Sequence, residues 1–164
     1  MKVFLMGMPG SGKTTLGAEL AAELMIPFVD LDTEIEKREA CSVSEIFAKK
    51  GEDHFRIVEA SLLREWAGSE QSFVMSTGGG APCHHLGIDV INGSGISVFL
   101  NVPVQELVER LKDKNDRPLL KNGEDLLGQL TAMRKVRLPF YQRAHITLQR
   151  PDLRELLEKL QSKK

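Results

Sequence analysis

Gly7-Met8-Pro9-Gly10-Ser11-Gly12-Lys13-Thr14 constrains the fold of this chain more than any other stretch. It fits G-x-x-x-x-G-K-[ST] and follows Val3–Met6, an apolar run that reads as a short buried strand. After it, Leu16, Leu20, Ala21 and Leu24 recur at helical spacing until Pro27 stops them. Strand, glycine-rich loop and helix start together make a phosphate cradle. The glycines let successive backbone N–H groups turn inward, and the helix N-terminus adds partial positive charge. Lys13 is placed to bridge the β- and γ-phosphates of a nucleoside triphosphate, and the Thr14 hydroxyl to ligate Mg²⁺.

The rest of the chain alternates strands with helices. Phe28–Leu31, Ser72–Ser76, Ser97–Leu100 and Ile146–Leu148 read as further strands. Ser44–Lys50 reads as a short helix closed by Gly51, and Phe55, Val58, Leu62 and Trp66 mark one face of the next. Val104, Leu107, Val108 and Leu111 define another helix, Leu126, Leu130 and Met133 a further one, and Leu153, Leu156, Leu157 and Leu160 the last. Such alternation implies an α/β three-layer sandwich, with five parallel strands flanked by helices. At 164 residues a single domain is expected. The polar stretch Lys112–Asp125, which contains Arg117-Pro118, reads as a long loop of the kind that closes over active sites.

Composition narrows the function classes. With 41% hydrophobic and 27% charged residues the chain is neither disordered nor membrane-embedded. No apolar run approaches the ~20 residues that span a bilayer, and the N-terminus lacks a secretory apolar core. Cys41 and Cys83 form no CxxC pair, so reduced cysteines in a cytoplasmic protein are expected. Charge is uneven: residues 1–109 hold 8 basic and 16 acidic side chains, and residues 110–164 hold 14 and 7. That split fits either a nucleic-acid-binding tail or one wall of an anion site. The aromatic residues do not interleave with basic ones, so no stacking platform for nucleic acid is apparent.

The phosphate loop does not say what the nucleotide is for. A guanine-reading Asn-Lys-x-Asp is missing, since Lys114-Asn115-Asp116 does not fit it. The third strand ends in Ser76-Thr77-Gly78-Gly79-Gly80 without the acid of an ATPase motor. A small phosphotransferase remains. Asp30 and Asp32 sit at the carboxyl end of the second strand, where open α/β sheets bind ligands. Alternation along a strand would point both to one side. One could hold Mg²⁺ through water while the other takes an acceptor's hydroxyl proton; alternatively, Asp32 could cap a helix beginning at Thr33.

Taken in order, these residues resemble the shikimate kinase family of P-loop enzymes. Gly7–Thr15 is similar to its Walker A loop, Asp30-Leu31-Asp32 to its Asp-x-Asp, and Ile46-Phe47 with Gly51-Glu52 and Phe55-Arg56-x-x-Glu59 to its next segment. Gly78-Gly79-Gly80 resembles its triple glycine, Glu109-Arg110-Leu111 its adenine helix, Arg117-Pro118-Leu119-Leu120 its lid, and Arg137-x-Pro139-x-Tyr141 its Arg-x-Pro-Leu-Tyr. The match runs from residue 3 to about 151. It implies a P-loop kinase fold with an acceptor-binding segment at about residues 32–60 and a lid at about 112–125. The implied reaction is ATP-dependent phosphorylation of the 3-hydroxyl of shikimate, on the route to chorismate, by a protein expected to be monomeric and to engage neither nucleic acid nor membrane.

By resemblance, Gly10, Ser11, Gly12, Lys13, Thr14 and Thr15 bind ATP together with Arg110, Arg117 and Arg150. Asp32, Arg56, Gly78, Gly79, Gly80 and Arg137 bind shikimate. Asp32, Lys13 and Arg117 are the implied catalytic residues, with Mg²⁺ held by Thr14 and, through water, by Asp30. Phe140 and Thr14-Thr15 depart modestly from the family pattern, and Pro82–Gly95 departs more. Cys83-His84-His85 lacks zinc-site spacing and is expected near the triple glycine without a chemical role. Without the family pattern, Arg56 and Glu59 read as a solvated helix pair. Another small-molecule kinase of the same build, such as a gluconate kinase or a nucleoside monophosphate kinase, is the rival reading.

Overall fold

The computed structural model describes residues 1–112 and 126–163. Five strands, β1 (Lys2–Met6), β2 (Phe28–Asp30), β3 (Phe73–Ser76), β4 (Ile96–Leu100) and β5 (Ile146–Leu148), form one sheet in the order β2-β3-β1-β4-β5. All four pairings are parallel. The helices are α1 (Lys13–Leu24), α2 (Leu31–Glu39), α3 (Val43–Gly68), α4 (Gly87–Ser94), α5 (Val104–Leu111), α6 (Leu126–Tyr141) and α7 (Leu153–Gln161).

The central strand shows how the layers arise. Its side chains alternate, so Val3 and Leu5 join Leu16, Leu20, Leu156 and Leu160 beneath α1 and α7. Phe4 points the other way, into a cluster with Val58, Leu62 and Phe73 beneath α3. Met6 enters a third cluster with Phe99, Leu107, Leu130 and Tyr141, which seats α5 and α6. Apolar burial on both faces is why the strands read as continuous apolar runs.

Several local expectations change. β2 stops at Asp30 and Leu31 opens α2, so Asp30 and Asp32 do not alternate along one strand. The helix cap is Asp30, not Asp32: Asp30 Oδ1 accepts from Thr33 N at 3.1 Å. Gly51 does end a short helix, with φ 83°, but the chain re-enters helix at once and α3 runs to Gly68 with a kink. α6 extends past Met133 to Tyr141 through Pro139. Ala81–Cys83 is a 3-10 turn and α4 follows it, in a stretch that had no assigned element. Arg117 and all but Lys112 of the expected lid lie outside the described residues.

Candidate active site

The carboxyl ends of β1, β2 and β3 open into a cleft of about 520 Å³ lined by residues of the phosphate loop, by Asp30 and Asp32, by Ser76–Gly79 and by Arg110. Its nucleotide side is mainly backbone. Gly10 and Gly12 take φ of 80° and 93°, which an L side chain rarely adopts, and Gly12 is the N-cap of α1. Lys13 Nζ lies across the loop, donating to Gly7 O and Met8 O at 3.0 Å each. Arg110 reaches over the rim and donates to Gly10 O at 2.9 Å. Pro151 packs beside Gly12, whereas Arg150 is exposed. The Ser11 hydroxyl is buried beneath the loop.

Three oxygens cluster at the start of α1. Thr14 Oγ1 donates to Asp30 Oδ2 at 3.3 Å and is 3.5 Å from Ser76 Oγ. An all-oxygen donor set of this kind suits a hard cation such as Mg²⁺ rather than zinc. Ser76 is a member that the sequence reading omitted, although its place at the end of β3, opposite the loop, was visible.

The opposite side is made of charged side chains converging on Gly78–Gly80. A Cβ on Gly78 would stand 2.8 Å from Glu59 Oε2 and 3.2 Å from Asp32 Oδ1. On Gly79 it would stand 2.6 Å from Arg137 Nη1, and on Gly80 it would run into the Arg56 guanidinium. The three glycines are therefore a floor with no side chains, against which two carboxylates and two guanidiniums lie. Tyr141, buried at the end of α6, donates its hydroxyl to Gly79 O at 2.6 Å and braces that floor from behind. Tyr141 stood in the motif without a role; its spacing four residues from Arg137 on a helix was the available signal.

Arg56 and Glu59 are not a solvated pair. Their side chains are 5% and 2% exposed and joined by a 2.9 Å bond from Arg56 Nη1 to Glu59 Oε1. Both lie on the inner face of α3, set there by Phe55, Val58 and Leu62 in the core. Burial, which outweighs the attraction of Arg56, lifts Glu59 to about 7. Arg137 is also buried, on the face of α6 that Leu130 and Tyr141 share. Cys83 Sγ is 4.0 Å from Gly79 O, near the floor as expected. Burial pushes its thiol up to about 11, so it remains protonated and adds no charge beside the arginines. His84 is held below the usual imidazole range by burial and by Arg56.

Among the described residues no helix is long and apolar enough to cross a membrane. The fold and site have clear counterparts. A family model described as shikimate kinase matches residues 9–162. A shikimate kinase of Parabacteroides distasonis is 46% identical over 149 residues, covering 89% of this chain and 86% of the relative. The solved shikimate kinase of Acinetobacter baumannii in complex with shikimate superposes with a TM-score of 0.93 at 33% identity, over 99% of this chain and 94% of that one. That of Bacteroides thetaiotaomicron gives 0.86 at 39% identity, over 99% and 95%. A P-loop on a parallel sheet, a charged floor beside it, and matches of this extent lead to one assignment: the chain belongs to the shikimate kinase family.

Proposed function

We propose the following division of labour for the reaction that family membership gives this chain, transfer of the γ-phosphoryl group of ATP to the 3-hydroxyl of shikimate. Backbone N–H groups from Gly10 to Thr15 hold the phosphates, and Lys13 turns from its loop carbonyls toward the β- and γ-oxygens. Arg110 stacks on the base, with Pro151 and Arg150 on its other side. Thr14, and Asp30 through water, hold Mg²⁺, which when bound offsets charge on the phosphate oxygens. Arg117, outside the described residues, carries by resemblance alone the role of balancing charge on the group in flight.

Across the cleft, Arg56 and Arg137 grip the shikimate carboxylate, a task suited to planar guanidiniums already desolvated. The side-chain-free floor lets the ring lie against Gly78–Gly80, where backbone N–H groups can reach it. That pose brings the 3-hydroxyl to Asp32, which accepts its proton as the oxygen attacks phosphorus. The observation that carries this reading is the convergence of Asp32, Arg56 and Arg137 on three successive glycines.

The test is ADP release coupled to NADH oxidation, with shikimate, gluconate and AMP offered separately. Turnover with shikimate alone is the expected result. Turnover with gluconate or AMP and none with shikimate would overturn it.

A further inference from the structure

Glu59 enters none of the steps above, yet it is buried against the acceptor floor with half of its carboxylate unsatisfied. Oε1 accepts from Arg56, while Oε2 has no hydrogen-bond partner among the described residues. An ionised oxygen in that position lacks the donors that water would give it, which is costly. The absence of a Gly78 side chain leaves Glu59 Oε2 and Asp32 Oδ1 facing one small space. The charged and titratable groups around Glu59 are Arg56 on its own helix, Asp32 on α2, Arg137 on α6 and the Cys83 thiol on the turn after β3. Arg56 and Arg137 favour the ionised form, whereas burial and Asp32 oppose it more strongly.

The same two guanidiniums that offset Glu59 are those assigned to the acceptor's carboxylate. Docking that anion places a second negative charge on Arg56 and Arg137, and a like charge nearby disfavours ionisation. Resting on the acceptor assignment above, we propose that Glu59 is a proton-linked positioning residue: ionised, it holds Arg56 in the open site, and it takes up one proton from solvent on Oε2 as the acceptor's carboxylate docks. The covalent change is one proton transfer: the bond to hydrogen in hydronium or the buffer acid breaks as the Oε2–H bond forms.

The sign follows from linkage. Glu59 binds its proton more tightly in the complex than in the free protein, where it titrates at about 7. Acceptor affinity is therefore fully present below that pH and declines as pH rises through it, until the higher pKa of the complex is passed. For a shift of about one unit, shikimate binds about sixfold more weakly at pH 8.5 than at pH 6.5, with uptake of about half a proton at pH 7.5.

Isothermal titration of the full chain with shikimate at pH 7.5, in phosphate and in Tris, reads the proton count directly. The expected result is uptake of about half a proton by the wild type. Glu59→Gln should take up none, and its affinity should be flat between pH 6.5 and 8.5. A merely structural role would lower affinity equally at every pH and move no proton. Binding without proton exchange in the wild type, or unchanged uptake in Glu59→Gln, would overturn the inference. If Glu59→Gln does not fold, the wild-type count and pH slope decide alone. Absence of any shikimate binding would instead overturn the acceptor assignment, and this inference with it.

Discussion

From Gly7 to Thr15 the cleft is walled mainly by backbone that one continuous stretch of sequence supplies; opposite it, the wall is side chains drawn from α2, α3, α6 and the end of β3. The first wall needs only glycine torsions and a helix start, so it can be written in nine consecutive residues. The second depends on four buried or half-buried charges meeting over a floor without side chains, and so on the packing of the core behind each. Damage should therefore differ in kind. Changes to the acceptor wall should spare nucleotide affinity, and several should also lower stability, because the charges there are buried partners of one another.

Asp32→Asn separates the two walls most sharply. It should lower kcat on the order of a thousandfold by removing the proton acceptor, while nucleotide affinity by calorimetry stays within about twofold. Near-wild-type turnover would reject Asp32 as the base. Next comes Gly80→Ala, whose methyl group meets the Arg56 guanidinium. Steric displacement of about 1–3 kcal/mol should raise the KM for shikimate about 5- to 150-fold and leave that for ATP unchanged. An equal rise in both would show that the walls are not separate.

A smaller effect is expected of Tyr141→Phe, which removes only the hydroxyl donated to Gly79 O. It should cost about 1–2 kcal/mol in urea unfolding and raise the shikimate KM a few-fold, through loosening of the floor. Smallest is Asp30→Ala measured as stability. Loss of the cap on α2 should cost about 1 kcal/mol, and unchanged stability would remove Asp30 from that role.

The contrast between the walls also explains what could be read from sequence. The phosphate loop and the alternation of strands and helices were legible, because both are written in local spacing: Val3–Met6 before the loop, Leu16 to Leu24 after it. Boundaries failed where tertiary context intervened. Asp30-Leu31-Asp32 looked like a strand end, but Leu31 turns inward into the core as the first residue of α2, which moves Asp32 off the strand. Arg56 and Glu59 looked like a surface pair, since spacing of three on a helix is the same inside and out. Their burial depends on which face α3 presents, and the kink at Gly51 helps set that face. Without the family pattern, no local signal brings Arg137 to Gly79, 58 positions earlier in the chain.

The acceptor wall is proposed to read a carboxylate, and the most direct test neutralises that carboxylate in the ligand. The quantity to measure is kcat/KM for shikimate and for its methyl ester, in wild type and in Arg137→Ala. A charge-assisted hydrogen bond is worth about 1.5–3 kcal/mol. The wild type should therefore favour the acid by about 10- to 100-fold or more, and Arg137→Ala should penalise the acid by a similar factor while leaving the ester nearly unaffected. Equal turnover of acid and ester by the wild type, or an equal loss for both on removing Arg137, would contradict it.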